Sequence, residues 1–168
     1  MGLELFDLGG RTALVTGSSQ GIGLALARGL SGAGALAILN GRDATKLADA
    51  ARDLRAEGAQ VHELVFDATD HKAVRTAIDA DEADMGAIDW ARLGLNCNAL
   101  APGYFDTPLN AALVAYPEFT ARLEKRTPAG RWGKVEELVG TCIFLASSAS
   151  SFVNGTTVFV DGGITASL

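Results

Sequence analysis

The sequence predicts a doubly wound α/β fold built on a parallel sheet, and three observations carry that expectation. Short, continuously apolar runs alternate with longer segments of helical period, the pattern of right-handed parallel crossovers. Three glycines, Gly17, Gly21 and Gly23, follow the first apolar run and open the first helical one. The 168 residues are 48% hydrophobic and 20% charged, enough for one well-filled core and within the range of a single domain over residues 1–168.

The elements follow in order. "TALVT", residues 12–16, is a β-branched apolar run that stops at Gly17, and from Ile22 to Leu30 apolar residues recur at helical spacing. "ALAILN", 35–40, is a second strand, and the helix after it has Asp43 as N-cap and Gly58 as stop. "VHELVF", 61–66, is a third strand, followed by a helix from about Asp70 to Ala83. "GLNCNALAPG", 94–103, reads as a strand running into a Pro-Gly break. Short helices are expected within 109–126, a helix from about Lys134 to Ser147, and a last strand at "TTVFVDGG".

Composition removes several classes of function. The net charge of -6, from 14 Lys plus Arg against 20 Asp plus Glu, argues against a nucleic-acid partner or an anionic membrane surface. No apolar run approaches the ~20 residues of a membrane span. "MGLELFDLGG" carries Glu4 and Asp7 where a secretory leader needs a basic then an apolar region, so a cytoplasmic location is expected. Cys97 and Cys142 lie in apolar stretches and read as reduced, packed thiols. His62 and His71 have no ligand-spaced neighbours, read as surface residues, and no metal is expected. Trp90 and Trp132 read as packing residues.

The glycine-rich turn points to a phosphate. Glycines at a strand-to-helix turn permit positive φ and close backbone approach, while the helix N-terminus offers unpaired N–H groups and a partial positive charge. Ser18 and Ser19 are expected to add hydroxyl donors. At the end of the second strand an NAD site carries an acid for the ribose 2′-hydroxyl; this chain has "LNGRD", with Asn40 at the expected place and Arg42 two residues on. An arginine pairs with a 2′-phosphate that an acid repels, so NADP(H) is the preferred cofactor and NAD(H) the alternative.

Together "TGSSQGIG", "NGR", "FDATD", "PGYFDTP" and "VDGG" resemble the short-chain dehydrogenase/reductase family over nearly the whole chain, most of all its members acting on sugar acids of the gluconate and 5-ketogluconate kind. The resemblance implies a Rossmann-type fold. It implies that Thr16, Gly17, Ser18, Ser19, Gln20, Gly21, Ile22 and Gly23 hold the pyrophosphate, and that Asp67 and Ala68 touch the adenine. Pro102, Gly103 and Thr107 would face the nicotinamide. It further aligns the basic stretch 119–134 with the substrate-covering region, where a small anionic sugar acid would be steered, although a solvated helix face is the plainer reading of that stretch.

The departure from the family is as informative as the match. Its Asn-Asn-Ala-Gly segment, its serine and its Tyr-x-x-x-Lys pair have no counterpart here. The tyrosines are Tyr104 and Tyr116, and four residues after them stand Pro108 and Thr120. Reducing a ketone requires a proton for the developing alkoxide, supplied in the family by a tyrosine whose pKa a lysine lowers. No catalytic residue is therefore assigned, and little or no turnover is expected. An internal deletion is inferred with its junction near 86–94, where "GAID" reads as the start of one family element and "DWARLG" as the end of another. Excision leaves a sheet of about five strands in the order 3-2-1-4-5, which moves the loop after "NALAPG" by two strand spacings, roughly 10 Å. Alternatively the chain is a non-catalytic nucleotide-binding module whose exposed sheet edge recruits a second copy into a homo-oligomer.

Overall fold

The computed structural model describes residues 2–85 and 98–167. Contacts divide the chain into two compact units, Asp7–Leu95 and Met1–Phe6 with Asn96–Leu168. The expected junction near 86–94, Trp90 and Cys97 all lie outside the described residues.

In the unit Asp7–Leu95 the alternation seen in the sequence becomes β1 (Thr12–Val15), α1 (Gly21–Gly32), β2 (Leu36–Gly41), α2 (Ala44–Ala56), β3 (Val61–Val65) and α3 (His71–Met85). The three strands form one parallel sheet in the order β1-β2-β3, with Val15 beside Leu39 and Gly41 beside Val65. A helix between each successive pair supplies the crossover that parallel pairing needs. β2 has a neighbour on each side and is the most deeply buried strand; Ala37, Ile38 and Leu39 are fully enclosed.

Helix α2 shows how the local code works. Asp43 accepts hydrogen bonds from Thr45 N at 3.0 Å and Lys46 N at 3.1 Å, satisfying two otherwise orphaned donors of the first turn. Leu47, Ala50, Ala51 and Leu54 repeat at helical spacing, so one face buries against Ala27, Ala37 and Leu39. Gly58, at φ +89°, reverses the chain after the last turn. Removing a fully buried leucine such as Leu47 or Leu54 costs about 2–5 kcal/mol, so this cluster is the main anchor of the unit.

The second unit holds β4 (Ala99–Pro102), β5 (Phe105–Asp106), α4 (Ala111–Val114), α5 (Pro117–Arg126), β6 (Gly133–Lys134), α6 (Val139–Ala146) and β7 (Thr157–Val160). β4 and β7 pair in parallel, as do β5 and β6. Asn98 ties the start of β4 to the chain before β7: its Nδ2 donates to Val153 O at 2.9 Å and its Oδ1 accepts from Thr156 N at 3.2 Å. The helix expected from Lys134 begins as a 3₁₀ turn, Val135–Leu138, because Glu137 turns back to accept from Lys134 N at 2.7 Å.

The expected order 3-2-1 and the parallel pairing of the last two long strands are both present. β4 takes its partner from β7, and Pro102 at its end has no N–H to offer a further strand. His71 is exposed as expected, whereas His62 is half-buried because it lies within β3. Cys142 is a half-buried free thiol whose pKa burial pushes up.

Candidate functional site

The turn from β1 into α1 has the geometry of an anion cradle. Gly17 and Gly21 adopt φ values of +64° and +60°, which side chains rarely tolerate. At Gly23 a Cβ would stand 2.5 Å from the Gly17 carbonyl oxygen, so the helix approaches the loop too closely for any other residue. Gln20 is the N-cap and its side chain makes no capping bond, which leaves the first-turn N–H groups without a side-chain acceptor. A pyrophosphate fits this donor set: backbone N–H groups, a positive helix end and space where side chains are missing. Thr16 and Gln20 are exposed, while Ser19 and Ile22 are half-buried.

Ser18 and Asn40 do something other than the sequence implied. Ser18 is fully buried; its Oγ donates to Val15 O at 2.7 Å and accepts from Asn40 N at 2.9 Å. Its hydroxyl is a strut inside the loop instead of a donor pointed at a ligand. Asn40 is 2% exposed, and its Nδ2 donates to Leu64 O at 3.0 Å and Phe66 O at 3.1 Å. Its Oδ1 accepts from Gly17 N at 3.4 Å. The side chain therefore braces the phosphate loop against the end of β3 and does not face outward. The next position, Gly41, is buried as well. A Cβ at Gly41 would meet Leu47 Cδ1 at 3.5 Å and Ser19 Oγ at 3.6 Å, ordinary contact distances.

Arg42 and Asp67 lie on the same rim. Arg42 Nη1 is 3.9 Å from Asp67 Oδ2, and the arginine side chain is 79% exposed, a loose pairing that leaves the guanidinium available. Asp67 is held from the other side. Its Oδ1 accepts from Thr69 N at 2.9 Å and from Thr69 Oγ1 at 2.8 Å, and these bonds, with the Arg42 charge, lower its pKa. Thr69 was not singled out from the sequence, though Asp-x-Thr is the spacing of such a turn. Ala68 between them is exposed.

The residues expected at the nicotinamide end belong to the other unit. Pro102 closes β4, and Gly103 N donates to Val160 O at 3.0 Å. A Cβ on Gly103 would lie 2.7 Å from Asp161 Cα, so glycine is required there. Thr107 is 8% exposed, and its Oγ1 accepts from Asn110 N at 3.3 Å, capping the turn Pro108–Asn110. Tyr104 is 45% exposed and packs edge-on against Phe119 and Trp132, each 5.9 Å away between ring centroids. Trp132 is a packing residue as expected. No group of three or more His, Cys, Asp or Glu able to hold a metal occurs among the described residues, and no helix among them is long and apolar enough to cross a membrane.

The model for short chain dehydrogenase matches residues 11–91, and that for Enoyl-(Acyl carrier protein) reductase matches residues 83–165. Gluconate 5-dehydrogenase of Gluconobacter oxydans (strain 621H) is 38% identical over an alignment of 252 positions, covering 98% of this chain and 98% of that one. The 5-keto-D-gluconate 5-reductase of Escherichia coli (strain K12) is 31% identical over 248 positions, covering 96% and 98%. Among solved structures, a gluconate 5-dehydrogenase from Burkholderia cenocepacia J2315 in complex with NADP and tartrate superposes with a TM-score of 0.94 at 38% identity, covering all of both chains.

Proposed function

Because this chain belongs to the short-chain dehydrogenase family, we propose that it is an NADP(H)-binding member directed at a sugar acid of the gluconate or 5-ketogluconate kind, with little or no turnover of its own. The observation that carries the binding half is the cradle at Gly17, Gly21 and Gly23, which only glycines can form. The loop Thr16–Gly23 holds the pyrophosphate through backbone N–H groups, Arg42 takes the 2′-phosphate, and Asp67 and Ala68 flank the adenine. Pro102, Gly103 and Thr107 are assigned to the nicotinamide end. Asn40 and Ser18 serve the same site from behind, by fixing the loop. When bound, the nicotinamide supplies a hydride donor or acceptor, and the residues named supply grip and orientation.

The absence of a Tyr-x-x-x-Lys pair supports the low-turnover half of the proposal. An alignment of 252 positions against a chain of 168 residues supports an internal deletion, for which we keep the junction at 86–94, within one domain. The same absence favours a second reading, a nucleotide-binding module that assembles with another copy of itself. The binding half is tested by calorimetric titration of the full chain with NADPH and NADH. Saturable binding with NADPH the tighter ligand is expected; no binding of either refutes it. Steady turnover that survives Tyr104→Phe shows that the account of the missing acid is wrong.

A further inference from the structure

Helix α5 carries two arginines that pair with no acid among the described residues. Arg122 and Arg126 are four residues apart, hence on one helical face a turn from each other. Leu123, 5% exposed, forms the floor beside them. The Arg122 guanidinium carbon stands 5.4 Å from the centre of the Phe119 ring, over its face. Tyr104 meets Phe119 edge-on, and Trp132 backs both rings while its Nε1 donates to Thr120 Oγ1 at 3.2 Å. Tyr104, Phe119, Arg122, Leu123, Arg126 and Ile164 line a groove of about 350 Å³, inside the range of small-molecule sites.

The charge of this groove runs against the chain. The protein carries a net charge of -6, yet the lining has two guanidinium groups and no carboxylate. Neither arginine forms an ion pair with a described acid; Glu118, one turn before Arg122, is outside the lining. Like charges at this spacing repel and weaken a helix. The negative end of the helix dipole accounts for Arg126 in the last turn, but Arg122 lies a full turn further in. A carboxylate between the two forks removes the repulsion and matches their geometry. The aromatic walls suit the C–H faces of a hydroxylated carbon chain, and the Tyr104 phenol at the rim offers a hydroxyl partner.

We propose that Arg122 and Arg126 form a carboxylate subsite in this groove, which holds a small polyhydroxy acid in the absence of the dinucleotide. The choice of ligand rests on the sugar-acid reading above; the groove does not. The test is calorimetric titration of the full chain, free of dinucleotide, with gluconate, glucose and inorganic phosphate. The variants are Arg122→Ala, Arg126→Ala, the double variant, and Lys125→Ala, which removes a neighbouring cation outside the lining. Gluconate is expected to saturate and neutral glucose to show no heat of binding. Each single groove variant is expected to weaken gluconate about tenfold, the double variant to abolish it, and Lys125→Ala to leave it within twofold. NADPH affinity is expected to stay unchanged in all four. Gluconate binding that is absent, or equal in wild type and double variant, overturns the subsite. Phosphate binding as tightly as gluconate overturns the polyhydroxy part. Loss of NADPH binding in the wild-type chain with gluconate binding intact counts against the dinucleotide proposal and leaves the groove standing.

Discussion

Ser18 and Asn40 grip each other from both directions: Ser18 N donates to Asn40 O at 2.9 Å, and Asn40 N donates to Ser18 Oγ at 2.9 Å. Through this clasp the phosphate loop is pinned to β2, and through the Asn40 amide to the end of β3. Replacing Asn40 by Ala leaves the Leu64 and Phe66 carbonyls short of a donor, for a loss of about 1–3 kcal/mol. Ser18→Ala leaves the Asn40 N–H without an acceptor at similar cost. The Asn40 side chain and the Ser18 hydroxyl make separate bonds to one loop, so urea unfolding of the two single variants should show a loss for each, and the double variant reads their coupling. Single variants as stable as wild type would mean that these bonds contribute nothing.

Cofactor choice should follow Arg42. Arg42→Ala removes a charge-assisted partner of the 2′-phosphate and is expected to weaken NADPH by ~10-fold or more, with NADH nearly unaffected. Equal losses for both cofactors, measured by fluorescence titration, would place the 2′-phosphate elsewhere.

Positions 40 and 41 should respond differently to an acid. Gly41→Asp puts a carboxylate between Leu47 and Ser19, next in sequence to Arg42, and is expected to lower NADPH affinity and raise that for NADH. Asn40→Asp instead exchanges an amide donor for an anion facing two carbonyls, so it should destabilise the fold without reversing the preference. A switch toward NADH from Asn40→Asp alone would contradict the inward orientation of this residue.

Much of the site could be read in the sequence where the chemistry is local. Asp43 and Gly58 bracket α2 because caps and stops act within a few residues, and the glycines of the turn announced themselves by their place between strand and helix. The inward bonds of Asn40 were not legible for a physical reason. A strand buried on both faces is apolar throughout, so "LAILNG" gives no alternation that says which way the Asn40 side chain points. The Tyr104, Phe119 and Trp132 cluster joins residues far apart in sequence, and no local pattern foretells it.

Stability should carry the signature of Glu137. Its carboxylate accepts from Arg131 at 2.6 and 2.8 Å and from Lys134 N, and these bonds bring its pKa from 4.5 down to about 2. The pKa is lower when folded, so this contribution is present in full above about 4.5 and is lost as the pH falls toward 2. Thermal melts should show the Glu137→Gln variant less sensitive than wild type across that window. Because the pair is exposed the difference is small, and a variant as sensitive as wild type would show that the interaction carries no stability.

The central claim is that the phosphate half of a dinucleotide site persists in a chain that lacks the family's acid–base pair. The most direct measurement mixes the mass-verified protein, saturated with NADPH, with excess 5-ketogluconate and follows the reduced nicotinamide by absorbance. The account expects saturable NADPH binding and no oxidation above the protein-free rate. Oxidation at an enzyme-like rate, on the order of 1–10³ per second, would contradict it and place a proton donor among residues not identified as such.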